Sequence, residues 1–254
     1  MKLSAVIITL NEEKNLARCL DSLAGLVDEI IIVDSFSSDN TSEIAQRFGA
    51  IFIHNKFEGH IQQKNFALQQ AHGDWILSLD ADEALDEDLS ASIRKAVSDE
   101  NEILGYTMNR LTNYCGKWIR HCGWYPDTKL RLVRNGKAEW RGINPHDKLE
   151  LTDATAPGHL KGDILHYSYY TTEDHYRQIE YFGRIAAKEM YARGKKVPQI
   201  ISIIKTAAQF FKSFVLKLGI LDGEAGWNIS IRSAYATYRK YTLLREAWNN
   251  HERK

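Results

Sequence analysis

The chain has 254 residues, 44% of them hydrophobic, with 33 Lys and Arg against 33 Asp and Glu, so its formal net charge is zero. So much apolar material excludes a wholly disordered chain, and the length allows one large α/β domain or a domain with an appendage. The zero hides a polarity: residues 1–100 carry 8 basic and 18 acidic side chains, net −10, whereas residues 177–254 carry 15 and 6, net +9, which points to an anionic surface, nucleic acid or membrane, as partner of the C-terminal part.

In chain order, Leu3 to Thr9 is a short β-rich apolar run, and from Glu12 the residues Leu16, Leu20 and Leu23 recur at helical spacing. Glu29 to Asp34 predicts a second buried strand, Ser35 to Asp39 a polar loop, and Ile44, Ala45 and Phe48 the inner face of a helix. Ala50 to His54 predicts a third strand, His60 to His72 a helix ended by Gly73, and Trp75 to Leu79 a fourth strand. Strands alternating with helices at this spacing predict a parallel sheet covered on both faces, with ligands beyond the carboxyl ends of its strands. From about residue 101 the texture changes to alternating strands rich in Trp and Tyr, which continue the same domain, roughly 1–170. The rest, 171–254, reads as helices over 173–193, 199–221 and 226–250, punctuated by Pro198 and by Gly219 to Gly226.

Cys19, Cys115 and Cys122 form no Cys-x-x-Cys, so neither a disulfide framework nor a zinc ribbon is expected, and a reducing cytoplasm is the default. The apolar run after Met1-Lys2 is too short for a secretory leader, and no stretch of ~18 apolar residues predicts a spanning helix.

The sharpest local signal is Asp80-Ala81-Asp82-Glu83 at the end of the fourth strand. Three carboxylates in four residues repel one another, and a hard divalent cation is their natural neutraliser; the bland alternative is that Asp82 or Asp86 caps the helix beginning near 86. Asp34, with hydroxyls around it, can accept from a nucleobase N–H or a ribose hydroxyl, while Asp39 or Thr41 suits a helix cap. Thr9 to Glu13 offers polar groups at the end of the first strand, although Asn11 is equally an N-cap. No Gly-x-Gly-x-x-Gly or Gly-x-x-x-x-Gly-Lys-Ser/Thr is present, so a dinucleotide or P-loop site is not expected.

Val6-Ile7-Ile8-Thr9-Leu10-Asn11-Glu12-Glu13, Ile32 to Thr41, Gln63-Lys64-Asn65-Phe66-Ala67 and Leu79-Asp80-Ala81-Asp82-Glu83, in this order, closely resemble the family 2 glycosyltransferases of GT-A fold. The resemblance covers roughly residues 1–170 and implies an α/β fold of GT-A type, a Rossmann-like nucleotide-sugar-binding mixed sheet, with a helical C-terminal extension. It implies inverting sugar transfer from a nucleotide donor with Mn²⁺ or Mg²⁺. Carried over, Thr9, Asn11, Glu13 and Asp34 would line the nucleoside pocket, Lys64 would approach the base or diphosphate, Asp80 would meet ribose or metal, and Asp82 the metal. A late His such as His166 would complete the site of a borderline metal, although a lone His is also an ordinary structural residue. The family places the general base after the metal motif; Asp147 is preferred and Glu139 is the alternative, with a surface salt bridge as the plain role for either. Many relatives have His-Glu where this chain has His146-Asp147.

Arg131 and Arg134, read as alternating on one strand face, could contact phosphate or acceptor, and Trp124, Tyr125 and Trp140 could stack on sugars or pack in a core. The segment 199–221 holds Lys205, Lys212 and Lys217, too many charges to span a bilayer. It suits a helix in the membrane interface with Phe210, Phe211, Phe214 and Leu218 inserted, or one packed on protein. Gly219 to Trp227 and Tyr238 to Tyr241 resemble the C-terminal region of bacterial lipopolysaccharide-core glycosyltransferases, nearest the inner-core β-1,4-glucosyltransferases. The expectation is therefore transfer from UDP-glucose to a lipid-linked core oligosaccharide by an enzyme peripheral on the inner face of the cytoplasmic membrane. No nucleic acid partner is expected, and a homo-oligomer is compatible. The rivals are a polyprenyl-phosphate glycosyltransferase and a non-catalytic membrane adaptor with a relict nucleotide site.

Overall fold

The computed structural model describes residues 1–143 and 146–252. Its N-terminal half alternates β1 (Leu3–Thr9), α1 (Leu16–Asp21), β2 (Glu29–Asp34), α2 (Thr41–Arg47), β3 (Ile51–His54), α3 (His60–Gln69) and β4 (Trp75–Asp80). Then come β5 (Glu83–Leu85), α4 (Glu87–Ser98), β6 (Gly105–Tyr114), β7 (Lys117–Ile119), β8 (Asp127–Arg134), the hairpin β9 (Ala138–Ile143) and β10 (His146–Leu151), and β11 (Gly158–Tyr169). Helices α5 (Thr172–Ala192), α6 (Gln199–Phe211) and α7 (Gly223–Glu252) follow. The main sheet runs β3-β2-β1-β4-β8-β6-β11-β5, with β7 beside β6, while β9 and β10 pair separately. This is the mixed α/β sheet with C-terminal helices expected of the GT-A type.

By contacts the chain forms two compact units, Met1–Leu111 with Asp127–Tyr167, and Thr112–Pro126 with Ser168–Lys254. The sequence placed residues 112–126 in the first unit. In the structure the side chains of Tyr114, Ile119 and Cys122 pack with Ile229 of α7 instead, so this hairpin belongs to the second.

In unit 1, β1 is central because its residues are apolar on both sides: Leu3, Ala5 and Ile7 join Leu16, Leu20, Leu77, Leu89 and Ile93 on one face of the sheet. Val6 joins Ile31, Val33, Ala67, Ile76 and Leu149 on the other, as a period of two requires. β2 and β4 flank β1 in parallel, and the register pairs Thr9 with Asp34 and Ile8 with Asp80. Two acidic strand ends thus stand level beside the same strand. β8 runs antiparallel to β4, pairing Leu77 with Leu132 and Trp75 with Arg134. Arg134 therefore lies at the amino end of β4, away from Asp80, and Arg131 at the carboxyl end. An odd spacing of three puts the two on opposite faces of a strand, which corrects the expectation that they share one. Asp86 caps α4 by accepting from the Leu89 N–H at 2.7 Å, as weighed for this turn.

In unit 2, α5 opens with a capping box in which Thr171 and Asp174 satisfy each other's backbone N–H groups. The expected helix 199–221 is interrupted. After Phe211 the chain makes a π-helical turn, Lys212–Leu216, places Leu218 at φ 54°, and makes a 3-10 turn, Gly219–Asp222, before α7. The turn is close because both walls are glycine: a Cβ on Gly226 would stand 1.8 Å from the Gly219 carbonyl oxygen. Asp222, 4% exposed, accepts from the His121 backbone N–H at 2.9 Å and meets His121 Nδ1 at 2.9 Å. Phe210 and Phe214, expected on the outer face, stack on each other and each lies 5.3 Å from the Trp227 ring.

Candidate active site

The carboxyl ends of β1 and β2 build the first part of the site. Asp34 is fully buried and its carboxylate accepts from Thr9 Oγ1 at 2.8 Å, from the Ser37 N–H at 2.7 Å and from the Ser37 hydroxyl; His54 Nδ1 lies 3.4 Å away. Asn11, on left-handed backbone at φ 57°, does not cap a helix: its Oδ1 accepts from the Ser38 N–H at 2.8 Å while its own N–H donates to Ser37 Oγ at 2.8 Å. Glu13 accepts from Asn40 Nδ2 at 2.9 Å, and Asp39 accepts from the Thr41 N–H at 3.0 Å, the cap-like role foreseen for it. The two loops are therefore stitched into one polar floor. Phe36, 62% exposed, stacks on His54 with ring centroids 5.2 Å apart and planes at 6°. An exposed aromatic in a serine-rich loop is the signal that could have marked it.

The second part is a chain of opposite charges. Lys64, from α3, is buried and its ammonium bridges Asp80 Oδ1 at 2.9 Å and Asp147 Oδ2 at 3.0 Å, lying 4.2 Å from the Trp140 ring centroid. Arg131, 3% exposed, donates from Nη2 to Asp80 Oδ2 at 2.8 Å and to Glu83 Oε1 at 2.9 Å. Glu83, fully buried, also meets Arg110 at 3.3 Å, which in turn holds Asp127 at 2.8 Å. Burial alone would raise the Asp80 carboxyl, but Lys64 and Arg131 outweigh it and hold the group well below the usual carboxylate range. The same acids raise the Arg131 guanidinium against its own burial. The acidic tetrapeptide is thus neutralised in part by the chain's own cations, beside the divalent cation read as its natural neutraliser. Arg131 reaches these carboxylates through Nη2, while its Nε and Nη1 are buried without a hydrogen-bond partner among the described residues. Arg110 and Asp127 had no role assigned from sequence, since pairing across strands leaves no local spacing to detect.

Asp82 stands apart from this chain of charges. Its Oδ2 lies 3.2 Å from His166 Nε2, and His166 Nδ1 is buried without a hydrogen-bond partner among the described residues. A carboxylate beside an imidazole is a donor pair that fits a borderline divalent cation. Asp80 does not join it, and among the described residues no three His, Cys, Asp or Glu side chains converge. Glu12, from the β1 loop, is raised by burial and by the negative charges of Asp82, Asp39 and Asp80, against a hydrogen bond from Asn15; no role had been read for it.

The hairpin places the two candidate bases on opposite faces. Gly142 pairs with Asp147 and Trp140 with Leu149, so Asp147, Trp140 and Leu149 share the inner face. Glu139 points outward, about half exposed, and pairs with Arg141 at 3.1 Å. Trp140 is anchored through its backbone, its N–H donating to Asn65 Oδ1 at 2.8 Å. Arg134 donates to the Asn101 carbonyl at 2.8 Å and covers Trp75 at 4.6 Å, outside the site. Trp124 packs in unit 2 with Tyr114, Tyr169 and His175.

Residues 4–148 match the family described as glycosyl transferase family 2. An uncharacterized glycosyltransferase of Rickettsia conorii is 30% identical over 256 residues, covering 97% of this chain and 90% of that protein. A lipopolysaccharide core biosynthesis glycosyltransferase of Rhizobium meliloti is 27% identical over 230 residues, covering 87% and 83%. Among solved structures, S. aureus TarS 1–349 is 17% identical with a TM-score of 0.46, covering all of this chain and 92% of that one.

Proposed function

The chain belongs to glycosyl transferase family 2, and from that premise we propose that it transfers glucose, with inversion, from UDP-glucose to a hydroxyl of a lipid-linked lipopolysaccharide-core oligosaccharide at the inner face of the cytoplasmic membrane. The observation that carries the chemistry is the Asp80–Lys64–Asp147 bridge over Trp140, beside the Asp34 floor. Likeness to the Rhizobium lipopolysaccharide-core enzyme supports the acceptor class.

Asp34, held by Thr9 and Ser37, receives a donor N–H or ribose hydroxyl, and Phe36 on His54 offers a stacking face to the base. Asn11 and Glu13 fix the loops that frame this floor. Lys64, its ammonium held between Asp80 and Asp147, lends its positive charge to the diphosphate from that position. Asp82 and His166 would hold Mn²⁺ or Mg²⁺, which when bound stabilises the negative charge of the leaving nucleoside diphosphate. Asp147 takes the proton of the attacking acceptor hydroxyl. Replacing Asp147 by Asn keeps the shape and removes the base. Transfer should fall by about 10²–10⁴-fold while UDP-glucose still raises the thermal midpoint. An Asp147→Asn enzyme with wild-type turnover would move the base elsewhere, and the product's anomeric configuration by NMR tests inversion.

A further inference from the structure

Unit 2 carries a surface of inverted polarity. α6 and the turns after it bury Ser202, Ser213 and Asp222 to 0–4% exposure, whereas Ile204, Phe211, Leu216, Leu218, Ile220 and Leu221 are 50–65% exposed. The inner seam is made of small and polar groups: Arg245 Nη1 donates to Ser202 Oγ at 3.0 Å, Ser230 Oγ donates to Ser213 Oγ at 3.1 Å, and Gly219 meets Gly226. Helices in water bury their aliphatic side and expose serines. Helices in lipid do the reverse, packing through small residues and turning aliphatic groups outward.

Charge selects the occupant of this face. Between Met190 and Leu221 the chain has Arg193, Lys195, Lys196, Lys205, Lys212 and Lys217 and no acidic residue. A second copy packed through the same face would oppose this segment with its own six cations, and a nucleic acid would leave the aliphatic groups in water. A bilayer with anionic headgroups meets both requirements at once. Among the described residues no helix is long and apolar enough to cross a membrane, so the face lies in the interface plane.

We propose that the segment from α6 to the start of α7 inserts its aliphatic face into the hydrocarbon edge of an anionic bilayer, with the lysines at the headgroups, so that attachment is by insertion as well as by charge. The proposal rests on the reading of the acceptor as lipid-linked. Its test uses neither donor nor acceptor: loss of vesicle binding leaves transfer to a detergent-solubilised acceptor standing, and loss of transfer leaves vesicle binding standing.

The full chain is floated with phosphatidylcholine vesicles containing phosphatidylglycerol, at low and high salt, beside two variants shown by circular dichroism and thermal melting to be folded. Ile204→Asp/Leu216→Asp/Leu221→Asp should lower partitioning roughly tenfold or more at both salt concentrations. Lys205→Gln/Lys212→Gln/Lys217→Gln should lower it at low salt and converge on the wild type at high salt. Brominated acyl chains should quench fluorescence of the wild type more than of Trp227→Phe, whose replaced indole is 47% exposed. Wild-type flotation of the aspartate variant, or complete release of the wild type by salt, overturns insertion. A wild-type dimer in solution that the aspartate variant converts to monomer assigns the face to a second copy instead and also overturns it.

Discussion

Lys64 illustrates what a single residue contributes. Asp80 and Asp147 come from β4 and β10, far apart in sequence, and a buried ammonium 2.9 and 3.0 Å from them converts a repulsion into a network whose charges are paired. The sequence motif around Gln63-Lys64-Asn65 pointed to this lysine, Asp34, Asp80 and Asp82 stand out in the sequence at or just beyond the ends of apolar runs, and Asp147 was singled out by the family resemblance alone. The partners of Arg131, Asp80 and Glu83, reach it across the sheet. Its burial cannot be seen in the alternation of β8.

A second residue makes a pH prediction. His175 is buried in unit 2 against Tyr114, Trp124 and Tyr169, its Nδ1 3.4 Å from the Tyr114 hydroxyl. Burial, with the nearby positive charge of Arg232, lowers its pKa to about 4. The unfolded chain takes up this proton near pH 6.5, the folded chain only near 4. Stability should therefore fall as pH drops through that window, by about 3 kcal/mol from this residue. Urea unfolding at several pH values should show a shallower acid loss for His175→Phe than for the wild type; equal slopes would refute it.

At the scale of elements, the strands and helices of the first eighty residues follow directly from apolar runs and turn residues, because β1, β2 and β4 are buried on both faces and leave no ambiguity of register. The region from α6 to α7 was less legible. Periodicity joined 199–221 into one helix, whereas the chain breaks at Leu218 because Gly219 and Gly226 approach each other more closely than any side chain permits. Gly226→Ala should therefore destabilise unit 2 by roughly 3 kcal/mol or more, as overpacking against backbone does. Thermal unfolding measures this loss, and an alanine variant of unchanged midpoint would show that the two turns can separate freely. The hairpin of β9 and β10 gives the complementary lesson: the family resemblance alone favoured Asp147 over Glu139, and only the pairing of Gly142 with Asp147 and of Trp140 with Leu149 shows which alternate set faces inward.

For the whole molecule, a net charge of zero is the sum of −10 over residues 1–100 and +9 over residues 177–254, with a near-balanced middle. Opposite charges on different parts of one chain attract between copies as well as toward ligands, so light scattering at pH 7 and low salt should report association that fades as salt screens it. Scattering that grows with salt would identify apolar contact as the dominant attraction.

The level strand ends have one more consequence. Asp34 and Asp80 flank β1 on β2 and β4, so their backbones are two strand spacings apart, about 10 Å, and this distance is set by backbone hydrogen bonds rather than by loops. The sheet edge is a ruler: the two strand ends keep this separation whatever the loops beyond them carry. Substitutions in the surrounding loops can change what is held at either mark without altering the scale.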